Sequence, residues 1–151
     1  MSVDRTYVAE NDTERERLRL LVTRLSHEQL SRPMPAGWTV AAVLAHIGFW
    51  DARAIFWLDK WGPGVEPSAP DYETREDVEW INDSAKPLCL ALPPRDAAQL
   101  ALRLAEEADG KVKALSDEML AKVLAAGSPF NLSRADHRQE HLDDIERALS
   151  A

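Results

Sequence analysis

The sequence has one cysteine, Cys89, among 151 residues. A lone cysteine excludes an intramolecular disulfide and suits a reducing compartment. Basic side chains are in deficit, eighteen against twenty-six acidic, for a formal net charge of −8. An acidic chain repels phosphate backbones, which argues against sequence-independent nucleic-acid binding. No apolar run is fit to span a membrane. The most apolar stretch, Ala41 to Leu58, carries His46, Asp51 and Arg53, whereas a span needs about 20 residues nearly free of charge. The opening Met-Ser-Val-Asp-Arg-Thr-Tyr is polar and has no signal-peptide pattern. The expected location is therefore the cytoplasm, with neither nucleic acid nor membrane as a partner. No stretch alternates apolar and polar for long, so no strand is expected. Nor does any repeat of fixed period occur.

The residues that are present point to helices. The apolar fraction of 45% is that of a globular chain. At this length a single domain over residues 1–151 buries roughly 70% of its unfolded surface. Asn11, Asp12 and Thr13 are good N-caps, and Leu18, Leu21, Val22 and Leu25 follow at helical spacing. A second helix is predicted from Val40, with Thr39 as its N-cap, to a stop at Gly62, Pro63 and Gly64. It is apolar nearly all round, so it is either central in a bundle or part of an interface. A Pro/Gly-rich loop over 62–72 leads to a shorter helix from Thr74 to Ser84, with Pro87 opposing its continuation. Arg95 to Leu115 is rich in strong helix formers, with Leu100, Leu104 and Ala108 on one face. Gly127, Ser128, Pro129 and Asn131 form a further break, and the last helix runs from near Ser133 through Leu142, Ile145 and Leu149 to the end. The fold class expected is all-α, a four-helix bundle with an extra short helix.

Four histidines are the residues best suited to chemistry. His137 and His141, four apart on the last helix, share one face with Cβ atoms about 5–6 Å apart. Two such imidazoles can ligate one ion. His46 sits in the apolar second helix, where an unsatisfied imidazole is costly. Facing helices lie about 8–10 Å apart, close enough for His46 to complete a site with an open coordination position. The alternatives are a solvated pair on a polar helix and a core histidine bonded to a carbonyl. His27, in a polar turn, reads as an exposed bystander. His137-Arg138-Gln139-Glu140-His141 also matches the inverted zinc-peptidase pattern. That pattern needs a further acidic ligand well downstream, and only ten residues follow, so this reading is rejected.

A longer pattern adds a family resemblance. Gly37-Trp38-Thr39-Val40-Ala41-Ala42-Val43-Leu44-Ala45-His46, followed by Phe49-Trp50-Asp51, resembles the segment of DinB-like proteins that carries their first metal histidine. It is most similar to the N-terminal domain of mycothiol-dependent maleylpyruvate isomerases, and the distance to a C-terminal H-x-x-x-H agrees. The similarity runs from about Thr13 to Leu149. It implies a DinB-like four-helix bundle with one divalent ion, zinc or nickel, on His46, His137 and His141. It also implies a thiol-dependent transferase or isomerase with a low-molecular-weight thiol as cosubstrate and a small electrophile as substrate. The full isomerase carries a second domain without counterpart here, so the group's chemistry is implied rather than that one reaction. Asn82 resembles a polar position near the site mouth in such proteins.

Arg53, seven residues after His46, could face the same side and meet an anionic substrate group, or serve only in a surface ion pair. Cys89 lies in an apolar run between prolines and reads as a small core residue. Asp51, Glu140 and Asp144 are each conceivable as partners behind the histidines. Two non-enzymatic functions stay open: a metal-binding stress-response protein, and a helical interaction domain without metal. Phe56, Trp57 and Trp61 cluster at the end of the second helix. This surplus of apolar surface predicts a homodimer, unless the loop from Gly62 to Tyr72 covers the rings.

Overall fold

The structure, a computed structural model, describes residues 4–62, 64–68, 74–127 and 131–151. Among these, seven α-helices, one two-residue strand pair and a short 3₁₀ turn succeed one another: α1 Thr6–Arg24, α2 His27–Leu30, β1 Pro33–Met34, the 3₁₀ turn Pro35–Gly37, β2 Trp38–Thr39, α3 Val40–Lys60, α4 Arg75–Ala91, α5 Pro94–Ala114, α6 Asp117–Ala126 and α7 Ala135–Ser150. The fold is all-α, as expected. Helices α1, α5, α3 and α7 close a ring, each packing on the next, and α4 lies against the outside of α3.

Helix α3 begins where its cap predicts, with the Thr39 side chain accepting from the Ala42 amide at 3.1 Å. Every residue from Val40 to Gly48 is buried. Its apolarity all round is therefore used in the centre of the bundle. It is the one described helix long and apolar enough to cross a membrane, and 67% of its most apolar stretch is buried inside the protein.

The face of α5 that meets α3 differs from the expected one. Ala97, Ala98, Ala101, Ala105 and Ala108 are all fully buried, whereas Leu100 and Leu104 are only half-buried. Small residues let the two backbones approach closely. A Cβ placed on Gly48 would stand 3.3 Å from the Ala101 Cα and 3.2 Å from a Leu104 methyl. Leucine carries more hydrophobicity than alanine, but here the shape of the interface decides which residue is inside.

Other boundaries also move. Helix α1 starts at Thr6, and Asn11 lies buried within it rather than capping it. The Asn11 side chain instead accepts from the Ala135 amide at 3.0 Å and donates to the Leu132 carbonyl at 3.1 Å. It thus satisfies the first amide of α7, a helix more than a hundred residues away. Helix α4 continues through Pro87 to Ala91. Proline removes one helical hydrogen bond, but Pro87 is exposed while Ala85 and Cys89 on either side anchor the helix to the core. Helix α6, within the segment between Leu115 and Gly127, was not anticipated. Its Leu120 and Val123 join Trp61, Val112 and Leu132 in a second core cluster. Trp61 is thereby covered, at 7% exposed, while Phe56 stays 57% exposed. The β1–β2 pair, also unforeseen, is too short to leave an alternating pattern. Of the expected breaks, Pro63, Tyr72, Ser128 and Pro129 lie outside the described residues.

The tight α3–α5 contact generates a stability prediction. Ala101→Leu overpacks it and lowers the free energy of unfolding by about 1–3 kcal/mol. Leu124→Ser, at a position 58% exposed, changes it by less than about 0.5 kcal/mol. Urea titrations of the two variants check the contrast.

Candidate metal centre

His46 is carried inward on the buried first half of α3, and His137 and His141 stand one turn apart on α7. The α3–α7 contact brings the three rings together. The Nε2 atoms of His46 and His137 are 3.2 Å apart, and those of His141 and His137 are 3.1 Å apart. One nitrogen from each ring lies within 4.8 Å of the others. His46 is 6% exposed, and the other two are half-buried. The Trp38 ring stands edge-on to His46 at 5.6 Å.

These nitrogens suit a metal. Burial, with a smaller contribution from His141, pushes His46 down to about 4. His137 is pushed down to about 2, by burial first, then by the two neighbouring histidines and by Arg134 and Arg138. His141 is lowered by burial, opposed by Glu140 and Asp144. All three are neutral at pH 7, and a neutral imidazole has a lone pair to give. The single Nε2–H available to His137 cannot serve both neighbours, so lone pairs confront one another unless a proton or an ion lies between them. A tetrahedral ion with Nε2 ligands at about 2.0–2.1 Å has N···N edges of about 3.3 Å, close to the two separations above. The donor set fits a metal ion that takes nitrogen ligands.

A cavity of about 820 Å³ opens over this group. His46 and His141 form part of its wall. The β1–β2 hairpin, through Met34, Ala36 and Trp38, and Asn82 of α4 form other parts. Ala36 adopts φ 62°, a left-handed conformation unusual for a residue with a Cβ. Lys86 holds that turn against α4. Its ammonium donates to the Ala36 carbonyl at 2.5 Å and lies 5.1 Å from the centre of the Trp38 ring.

Residues 10–142 match the family model described as the DinB superfamily. The chain belongs to the DinB superfamily. No curated protein and no solved structure matches it.

In this DinB-superfamily protein the structure converges the three predicted histidines and puts Asn82 on the same cavity. Arg53 is not part of that lining. It lines a separate depression with Phe49, Phe56 and Trp57 and stacks over Trp50 at 5.2 Å. His27 is exposed. Cys89 is 6% exposed, and burial pushes its thiol up. Of the three conceivable partners, Asp144 Oδ2 lies 3.9 Å from His141 Nδ1, an electrostatic contact rather than a hydrogen bond. Asp51 is turned instead to Arg134 Nε at 2.9 Å and to Arg138 at 3.2 Å.

Reasoning from the sequence missed Arg134 and Arg138, the buried cations behind the triad. Their signal is an i, i+4 arginine pair at the start of the last helix, together with an aspartate in the most apolar helix. A carboxylate buried there needs a charged partner. Trp38 and Met34 as cavity walls had no local signal.

The lowered histidines set a pH dependence for the metal-free protein. Unfolded, they titrate near 6.5, so between 6.5 and about 4 the unfolded chain binds more protons than the native one. Stability is full above 6.5 and falls as pH drops toward 4. Thermal melts of chelator-treated protein are expected to show Tm declining over that window, with a shallower decline for His46→Gln.

Proposed function

We propose that the protein is a metal-dependent enzyme that activates a low-molecular-weight thiol for transfer to, or isomerisation of, a small electrophile. The observation carrying this reading is the meeting of three neutral imidazoles, two of which, His46 and His141, form part of the wall of a ligand-sized cavity. His46, His137 and His141 would hold one zinc or nickel ion, since magnesium and calcium prefer oxygen donors. Such an ion lowers the pKa of a coordinated thiol and leaves it reactive near pH 7.

The chain's own residues supply the rest. Trp38, Met34 and Val43 give the cavity an apolar wall. Cys89, in the core with a raised pKa, is unsuited to be the nucleophile, so the thiol is brought in from outside. The resemblance of the Gly37–Asp51 segment to the N-terminal domain of mycothiol-dependent maleylpyruvate isomerases supports the same chemistry. The test measures both metal and turnover. Each of His46→Ala, His137→Ala and His141→Ala is expected to weaken zinc binding by more than the roughly 10–100-fold cost of losing an outer-shell partner. Metal-loaded protein is expected to consume mycothiol, bacillithiol or glutathione with monochlorobimane faster than His46→Ala. Wild-type metal content in all three variants overturns the ligand assignment. Equal rates with every thiol leave a metal-binding protein without this reaction.

We further propose that two copies pair through the outer face of α3. Phe56 is 57% exposed beside a half-buried Trp57, and Phe49 and Ala52 extend the same depression. Light scattering at micromolar concentration is expected to give twice the chain mass, and Phe56→Glu to halve it. A wild-type monomer sinks this pairing.

A further inference from the structure

We propose that Asn82 orients the ligand by donating a hydrogen bond from its Nδ2 to an uncharged carbonyl oxygen, and that Trp50 is the residue that positions it to do so. The proposal rests on the reading of the cavity as the substrate site. Its starting observation is the hydrogen bond from Trp50 Nε1 to Asn82 Oδ1, at 2.7 Å. A carboxamide can present either its oxygen or its amino group, and the two are distinguished only by their surroundings. The indole nitrogen is a donor with no acceptor capacity, so it fixes the oxygen on its own side. The amino group is left with its two N–H donors. Among the described residues Nδ2 has no hydrogen-bond partner, and Asn82 lines the same cavity as His46 and His141.

The indole that imposes this choice is itself held. Arg53 stacks over one side of it at 5.2 Å, and the Phe49 ring meets it edge-on at 5.6 Å. Arg53 therefore bears on the site indirectly, through Trp50. The charge of the lining selects the acceptor. Among the described residues, Glu79, Asp83 and Asp144 share the cavity with a single cationic side chain, Arg147, which is already paired with Asp144. In the metal-free protein a ligand carboxylate would meet net negative charge there, whereas a ketone, ester or amide oxygen would not; a bound divalent ion would cancel that charge, so the selection is read on the metal-free form.

The test uses the full chain labelled with nitrogen-15. Three asparagines and three glutamines give few side-chain amide signals, and Asn82→Leu identifies the one that matters. Acetophenone is the neutral acceptor probe; benzylamine and benzoate are the cationic and anionic controls. Acetophenone is expected to shift the Asn82 amide protons downfield, with benzylamine and, in chelator-treated protein, benzoate leaving them in place. Trp50→Phe and Asn82→Asp are each expected to weaken acetophenone binding by roughly fivefold, the effect of one lost hydrogen bond. The titration is run on zinc-loaded and on chelator-treated protein. An Asn82 signal unmoved by acetophenone in both forms overturns the proposal, even if the variants fail to fold. So does a shift equal to that caused by benzylamine, or full affinity in a folded Trp50→Phe. A shift in chelator-treated protein, together with no zinc bound by the histidines, would sink the metal reading and leave the role of Asn82 standing.

Discussion

The geometry of the site depends on Arg138. This side chain is fully buried at the centre of the helix ring. Its guanidinium grips Asp109 of α5 through both terminal nitrogens, each at 2.8 Å, and reaches Asp51 of α3 at 3.2 Å. Arg15 of α1 closes on the same Asp109 at 2.7 Å. One ion network thus ties together all four helices of the ring. Desolvating each of these charges costs several kcal/mol, and only close, well-directed pairing offsets it. The network is stable in one arrangement of the four helices and costly in any that separates its members. Because Arg138 lies between His137 and His141 on α7, and Asp51 follows His46 on α3, that arrangement is also the one in which the three imidazoles meet.

Helix α3 carries two tasks with incompatible chemistry. Its first half must be apolar all round to fill the bundle, yet it holds a histidine and leads to an aspartate. The conflict is resolved by placing each polar group against a partner from α7. His46 faces the other imidazoles, and Asp51 faces Arg134 and Arg138. Those guanidinia also disfavour a proton on His137, which keeps it available as a donor. The alanine face of α5 and Gly48 of α3 bring the helices close enough for these short polar contacts to form within an apolar surround.

Much of the helical plan was legible along the chain. The cap at Thr39, the stop near Gly62 and the amphipathic last helix are local signals, and each marks a real boundary to within a few residues. The histidine pair at i, i+4 is equally local. Asn11 shows the limit of such signals. Its residue type announces a cap, but the helix it caps is α7, and nothing near Asn11 in the chain says so. Pro87 likewise announces a stop that tertiary anchoring at Ala85 and Cys89 overrides. Helix α6 was missed because its apolar face has meaning only against Trp61 and Val112.

By itself the sequence determined the helical class, the unusual apolarity of the second helix and the three imidazoles able to share an ion. Periodicity and residue chemistry act within a turn or two of the chain, so these can be read without knowing what lies across the core. Only the tertiary structure decided that Asp51 serves the arginines rather than the histidines, that fully buried alanines dominate the α3–α5 contact while Leu104 is only half-buried there, and that Asn82 faces the cavity while Arg53 supports it from behind Trp50. Each of those outcomes depends on which helix lies opposite. That is set by the joint packing and ion pairing of four helices, a property no single segment carries.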